Sequence, residues 1–402
     1  MKRILLLLIA YTLFLTPSFS QGTWSTLTNP APDNNFGPMI LLTDGTVMCL
    51  TTDSSGFASF NGEGNVWDLL TPDSTGSYLN GIWTQLPAME DTRLYCATWV
   101  LPDGNLYVAG GEYGSGISTA EIYNTTTQTW TYINNVPVGW QIFDGSSELL
   151  YDGTVLQGSL NYYDFQNAKE DLIFNESLNS YSKAMLMYGS HEESSWIKLR
   201  DSSIMNVDLW SLTSERYIPK YHKWIKDSNL KNYIDDFTTG ETGPAFMLPN
   251  GKLFFLSDTT YTAIYTPSGD TNMGTWEQGP AMPVNDTTHL GTCDAPAAMM
   301  PNGKILCAFG PARSYNPPVY FYEFNYLTNT FTQVLAPNGI DTLSTSVYAS
   351  DMLVLPDGTI LYSLIGSNVY SQYTPSGSPL ASGKPVIDNI ISSCPNFKIT
   401  GK

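Results

Sequence analysis

Acidic and aromatic side chains recur just before a short phrase that is repeated along the chain. The phrase has the form LxDG, and the segments that lead into it include RLYCA (93–97), IFDGS (142–146), GETGP (240–244) and TCDAP (292–296). Concave surfaces that mix aromatic rings with a few polar groups are usual ligand sites, and carboxylates beside aromatic faces suit sugars. The candidate ligand-binding residues in these lead-in segments are Tyr95, Trp140, Asp144, Glu193, Glu241, Asp294 and Tyr348.

The phrase itself predicts the fold. Asp-Gly or Asn-Gly between two apolar runs supplies the positive φ angles of a tight hairpin turn. Self-similarity at about fifty residues is typical of a kelch-type β-propeller, which is built from four-stranded blades. In the fourth copy Ser202 replaces the turn glycine, so this turn is expected to be the least ideal. The copies begin at Leu42, Leu101, Leu150, Leu199, Leu248, Met300 and Leu355.

Seven copies predict seven blades, but the last blade lacks its fourth strand. The segment GTWSTL, which starts at Gly22, fits the missing strand, with Trp24 as its aromatic residue. First and last segments that share one blade would remove the open edges of the array. We therefore expect an all-β, seven-bladed propeller over residues 21–380, closed by the N-terminal strand. Residues 381–402 form a tail outside the repeat, either a stub or the start of a C-terminal β-sandwich domain.

Strand connectivity places the candidate residues at one end of the propeller. In an up-and-down blade, the LxDG turn joins the first two strands at one end, and the lead-in segment lies at the other end. The loop between the second and third strands shares the end of the lead-in segment. All these residues are therefore predicted to surround one mouth of the central channel. The alternative is that they are solvated rim residues without a ligand. The loops add Glu112, Tyr113, Trp210, Arg313 and Tyr315.

Composition narrows the classes of partner. The 402 residues carry a net charge of −19, which repels phosphate backbones and argues against a nucleic-acid partner. Lys2 and Arg3 precede an apolar run, and Ser18 and Ser20 supply a small-x-small cleavage signal. Residues 1–20 therefore predict a secretory signal peptide, with an uncleaved anchor helix as the alternative. We expect a secreted or cell-surface protein with no membrane span in the mature chain.

Among kelch proteins, the lead-in segments resemble those of the galactose oxidase / glyoxal oxidase group. These are secreted seven-bladed propellers followed by an immunoglobulin-like domain. The resemblance implies a copper ion and a cysteine-linked tyrosyl radical that oxidises alcohols or aldehydes. Tyr95 matches the radical tyrosine of the group, and Tyr348 matches its second tyrosine ligand. Gly37 stands where the group has the cross-linking cysteine, and Ala349 where it has a histidine ligand.

The remaining potential metal ligands do not replace the missing ones. His191 with Glu192 and Glu193 is the best alternative candidate, but adjacent residues of a strand point to opposite faces. Since imidazole is the usual nitrogen donor for copper, two phenols alone would make a poor site. The sequence therefore predicts no catalytic residues, no bound metal and no cofactor.

The expected function is a non-catalytic module that binds a glycan or an extracellular protein at the acidic, aromatic mouth. Two alternatives stay open. The chain is either a copper-radical oxidase-like enzyme of altered or lost activity, or a structural surface module in which the propeller acts as a spacer.

Overall fold

The computed structural model describes residues 21–52, 63–133, 136–137, 140–158, 170–189, 194–393 and 396–401. The predicted signal peptide, His191 and Glu193 lie outside these residues. Within them, the structure is an all-β propeller, which confirms the all-β propeller part of the predicted fold class. No helix in this part of the chain has the length and apolar character needed to cross a membrane.

Six four-stranded antiparallel sheets occur in the described part of the chain. Five of them each use four strands that follow one another in sequence, as hairpin turns require. The first contains β2 (Asn35–Leu41), β3 (Val47–Thr51), β4 (Trp67–Thr71) and β5 (Ile82–Gln85), and the second contains β6 (Ala97–Val100), β7 (Leu106–Ala109), β8 (Ala120–Asn124) and β9 (Thr129–Tyr132). The third contains β10 (Ser147–Leu149), β11 (Val155–Gln157), β12 (Glu170–Asn175) and β13 (Ser180–Leu186). The fourth contains β14 (Ile197–Lys198), β15 (Ile204–Val207), β16 (Ser214–Ile218) and β17 (Lys223–Lys226), and the fifth contains β18 (Ala245–Met247), β19 (Leu253–Phe255), β20 (Tyr261–Thr266) and β21 (Thr275–Ala281).

A larger sheet follows, and two of its strands pair off the main path. It contains β22 (Val284–Asn285), β23 (Thr288–Gly291), β24 (Ala297–Met299), β25 (Ile305–Pro311), β26 (Val319–Asn325), β27 (Thr330–Val334) and β28 (Thr342–Leu343). The sixth four-stranded sheet joins the two ends of the chain in the order β1 (Thr23–Thr26), β31 (Ser371–Thr374), β30 (Ile360–Leu364) and β29 (Ser350–Val354). A two-stranded hairpin of β32 (Ile387–Ser393) and β33 (Asn396–Gly401) stands apart from these sheets, and short 3-10 helices span Pro219–Tyr221, Val347–Ala349 and Ala381–Gly383.

The repeated phrase forms the predicted turn in each sheet. Gly45, for example, has φ of 88°, and its N–H donates to the carbonyl oxygen of Leu42 over 3.1 Å. Ser202 adopts φ of 66° at the equivalent place, which is strained for a residue with a Cβ. The backbone conformation is therefore retained in the fourth copy, and the serine takes on the strain that glycine avoids in the other turns.

Strand β1 is held by its tryptophan. Trp24 lies opposite Tyr373 in the antiparallel register with β31. Its ring centroid is 4.8 Å from that of Tyr373, 5.4 Å from Phe321 and 5.5 Å from Tyr362, and Nε1 donates to the carbonyl oxygen of Leu335 over 2.7 Å. One side chain thus joins β1 both to its own sheet and to the preceding larger sheet.

Candidate functional site

A cavity of about 890 Å³ brings most of the predicted residues together. It is formed by the lead-in segments and by the loops after the second strands, as the connectivity argument requires. Of the predicted candidates, Tyr95, Tyr113, Asp144, Glu241, Asp294 and Tyr348 line this cavity. The predicted loop residues Glu112 and Tyr315 line it as well. Its walls also include Asp351 and the strand residues Thr98, Trp99 and Ser147.

Of the predicted residues that the structure describes, Trp140, Trp210 and Arg313 do not line the cavity. Trp140 packs partly buried against a hydrophobic cluster, with the Lys183 ammonium 4.8 Å from its ring centroid. Arg313 is exposed, and its Nε lies 3.8 Å from Oδ1 of Asp236. Glu193 lies outside the described residues.

Tyr95 occupies a strained turn before β6. Its φ is 53°. Phe143 and Asp294 also have left-handed φ angles, at the corresponding places before β10 and β24. Burial raises the pKa of Tyr95, and the nearby charge of Asp294 adds to this shift. The phenol therefore stays protonated at neutral pH and can donate a hydrogen bond into the cavity.

The buried guanidinium of Arg93 organises the loop opposite Tyr95. Its Nη1 donates to the carbonyl oxygens of Gly110 and Thr119, over 2.7 and 3.0 Å, and its Nη2 contacts Oε1 of Glu121 at 3.2 Å. These bonds tie the lead-in segment to the loop after β7. Glu112 and Tyr113 are carried by that loop, so one buried charge fixes two walls of the cavity.

Glu241 and Asp294 are two carboxyl groups of the cavity wall that interact electrostatically, and burial raises the pKa of each. Glu241 is only 5% exposed, and Oη of Tyr315 donates to its Oε1 over 2.8 Å. Burial, followed by the negative charge of Asp294, raises the pKa of Glu241 to about 8. Since like charges disfavour each other's ionised form, this raised pKa keeps Glu241 largely protonated at neutral pH.

Asp351 is a cavity carboxylate that sequence reasoning missed. It lies in β29, where an acidic residue directly before the apolar run MLV was the available signal. Burial raises its pKa to about 7. Glu112 has its pKa shifted in the same direction, first by burial and then by the charges of Asp144 and Glu241. The cavity is therefore acidic, and part of its carboxyl groups are protonated near neutral pH.

The side chains around Tyr95 and Tyr348 do not fit the copper centre that the resemblance implies. Gly37 and Ala349 supply no donor, and no histidine lines the cavity within the described residues. A Cβ on Gly37 would lie 2.9 Å from Cδ2 of Leu50, so a cysteine there would need a local shift. His222 and His289 lie elsewhere, on the segment before β17 and on β23. Among the described residues, no three His, Cys, Asp or Glu side chains are arranged to hold a metal ion.

Comparisons with known proteins agree with this architecture. The Kelch motif model matches residues 93–137. Galactose oxidase of Gibberella zeae is 22% identical over 363 residues, which cover 74% of this chain and 52% of that protein. A second galactose oxidase from the same species is 21% identical with the same coverage. The chain thus spans about half the length of the curated relatives that it matches.

Solved structures show the same fold at low sequence identity. A fungal alcohol oxidase of the AA5 family, in complex with copper, gives a TM-score of 0.64 at 15% identity, over 95% of this chain and 84% of that one. A streptogramin B lyase gives 0.57 at 11% identity, over 89% and 99%. At these identities the likeness concerns the fold alone. Motif, relatives and fold together show that the chain is a β-propeller that contains a Kelch motif and resembles the galactose oxidase group.

Proposed function

We propose that this protein binds a glycan, without catalysis, in the acidic and aromatic cavity. The observation that carries the proposal is the composition of the cavity wall. It combines four tyrosines with five carboxyl groups, and no Lys, Arg or His of the described residues lines it. A polyhydroxylated ligand needs both hydrogen-bond donors and acceptors, together with flat surfaces for its C–H faces.

The protonation of the cavity supports a neutral sugar. With its pKa raised to about 8, Glu241 is largely protonated at neutral pH, so Glu241 and Asp294 together offer a donor as well as acceptors. The rings of Tyr315 and Tyr348 pack edge to face, with centroids 5.7 Å apart, and both remain partly exposed for contact with a ligand. Excess negative charge disfavours anionic sugars at the same site.

The proposal also covers the number of blades, the closure of the ring and the cellular location of the protein. We take the larger sheet as one further blade, so that seven blades form one ring and β1 closes it. Pairing of β1 with β31 supports this closure. The basic and apolar pattern of residues 1–20 supports secretion or surface display. The exposed hairpin of β32 and β33 belongs to the tail that we assign outside the propeller.

A glycan array that includes galactose-terminated oligosaccharides tests this function. We expect wild-type protein to bind a restricted set of neutral glycans, and the Tyr95→Ala/Tyr348→Ala variant to lose that binding. Tyr151→Ala is the matched control, because this exposed tyrosine lies in the LxDG turn at the other end of its sheet. Binding that survives the double substitution would place the site elsewhere. Capture of an extracellular protein with no glycan binding would favour a protein partner instead.

A further inference from the structure

Three exposed aromatic rings stand together outside the cavity. We call this group the outer platform: Trp210, Tyr233 and Phe237, which are 52%, 40% and 54% exposed. The ring centroids of Trp210 and Phe237 are 6.3 Å apart with planes tilted by 31°, and those of Tyr233 and Phe237 are 4.9 Å apart. Large apolar side chains rarely gather on a surface without a binding role.

The outer platform is held by the backbone that carries it. Oδ1 of Asp208 accepts the backbone N–H of Trp210 over 2.9 Å. The carbonyl oxygen of Tyr233 accepts from Oγ1 of Thr259 over 2.7 Å. Beside Phe237, the buried carboxylate of Asp236 accepts from two following backbone N–H groups. The rings are therefore positioned in advance, which lowers the entropic cost of binding.

Two connections join the outer platform to the cavity. The ring of Trp210 lies against Gly240, where an added Cβ would be 3.4 Å from Cη2, and the next residue is the cavity carboxyl Glu241. Arg313 faces Asp236 at 3.8 Å and lies two residues before Tyr315 in the cavity wall. Its exposed guanidinium thus lies beside the platform segment, and its backbone leads into the cavity wall.

We propose that the outer platform is a second subsite for a glycan chain whose end occupies the cavity. This inference rests on the proposed function, since it extends the same ligand over a neighbouring surface. The rings suit the apolar face of a sugar unit, while Asp208 and Arg313 beside them offer an acceptor and donors for its hydroxyl groups. A purely apolar partner would bury these charged groups without hydrogen bonds, which is unfavourable. The proposed ligand is a neutral oligosaccharide that is long enough to reach both the cavity and the outer platform.

The test measures how binding affinity depends on ligand length in wild type and in two double variants. Calorimetry with galacto-oligosaccharides of two, four and six units is applied to wild type, Trp210→Ala/Phe237→Ala and Tyr95→Ala/Tyr348→Ala. We expect wild-type affinity to rise with length, and the platform variant to lose about tenfold for six units with no change for two. The cavity variant should lose binding at every length. Trp210→Phe should retain the affinity for six units, because it keeps a ring at this position.

The outcomes separate the two proposals. Wild-type affinity that does not increase with length, or a platform variant that binds six units normally, overturns the outer subsite and leaves the cavity proposal standing. Equal losses at all lengths in the platform variant would also overturn it, since that pattern indicates damage to the cavity. No binding of any oligosaccharide by wild type would remove the proposed function, and the outer subsite with it.

Discussion

Replacement of Trp24 by alanine tests whether the N-terminal strand stabilises the propeller. The substitution removes three ring contacts, each worth about 0.5–1.5 kcal/mol, and a 2.7 Å hydrogen bond worth about 1 kcal/mol. Trp24 is partly exposed, so the loss should fall at or below the low end of the range of about 3–5 kcal/mol for a buried aromatic residue. We expect the free energy of unfolding to decrease by about 3 kcal/mol.

Urea titration followed by both fluorescence and circular dichroism measures this change, and coincident transitions would justify a two-state treatment. Trp24→Phe keeps a ring but loses the N–H donor, so it should cost about 1 kcal/mol. Trp210→Ala is the control, because the same substitution at an exposed ring should change stability by less than about 0.5 kcal/mol. Deletion of residues 21–28 also removes the pairing with β31 and should cost more than Trp24→Ala. If Trp24→Ala matched its control, the claim that β1 closes the ring would be refuted.

Three further predictions concern a turn, the carboxyl group of Glu241 and copper chemistry. Ser202→Gly should raise the free energy of unfolding by up to about 1 kcal/mol, since φ is 66° there, whereas Gly45→Ala should lower it by a similar amount; a loss with glycine would contradict the strain argument. Because the pKa of Glu241 is raised to about 8 in the folded state, that state binds more protons between about pH 5 and 8, and stability should fall as the pH rises through this window. Urea midpoints measured across it should fall less steeply for Glu241→Gln, and an unchanged slope would exclude this group as the cause. Protein expressed with copper should show no radical absorption band and release no peroxide from galactose or glyoxal, because Gly37 and Ala349 supply neither the cross-linking thiol nor the imidazole. Copper-dependent peroxide that disappears in the cavity double variant would instead establish an oxidase.

The repeat, the turn positions and the end of the propeller at which the candidates gather are all predictable from the amino-acid sequence. These are local properties: a hairpin turn needs particular φ angles, and its Asp-Gly or Asn-Gly signal is visible within a few residues. Strand alternation and connectivity then order the loops, so the repeat alone assigns Tyr95, Asp294 and Tyr348 to one mouth of the channel. Trp24 is matched to the last sheet for the same reason, since its short segment repeats the pattern of the fourth strands.

Which of these side chains contact one another depends on the tertiary structure. The electrostatic interaction of Glu241 with Asp294, and the contact of Glu241 with Tyr315, join residues from different sheets. Such contacts depend on how far neighbouring sheets rotate and on how each loop bends, and no sequence period encodes either quantity. For the same reason the sequence does not reveal that Trp140 packs against the core or that Arg313 contacts Asp236 outside the cavity. It also does not reveal that Asp351, a strand residue, lines the cavity. Desolvation by all the surrounding sheets sets the pKa values of these carboxyl groups, so their protonation follows from the assembled fold and not from their neighbours in the chain.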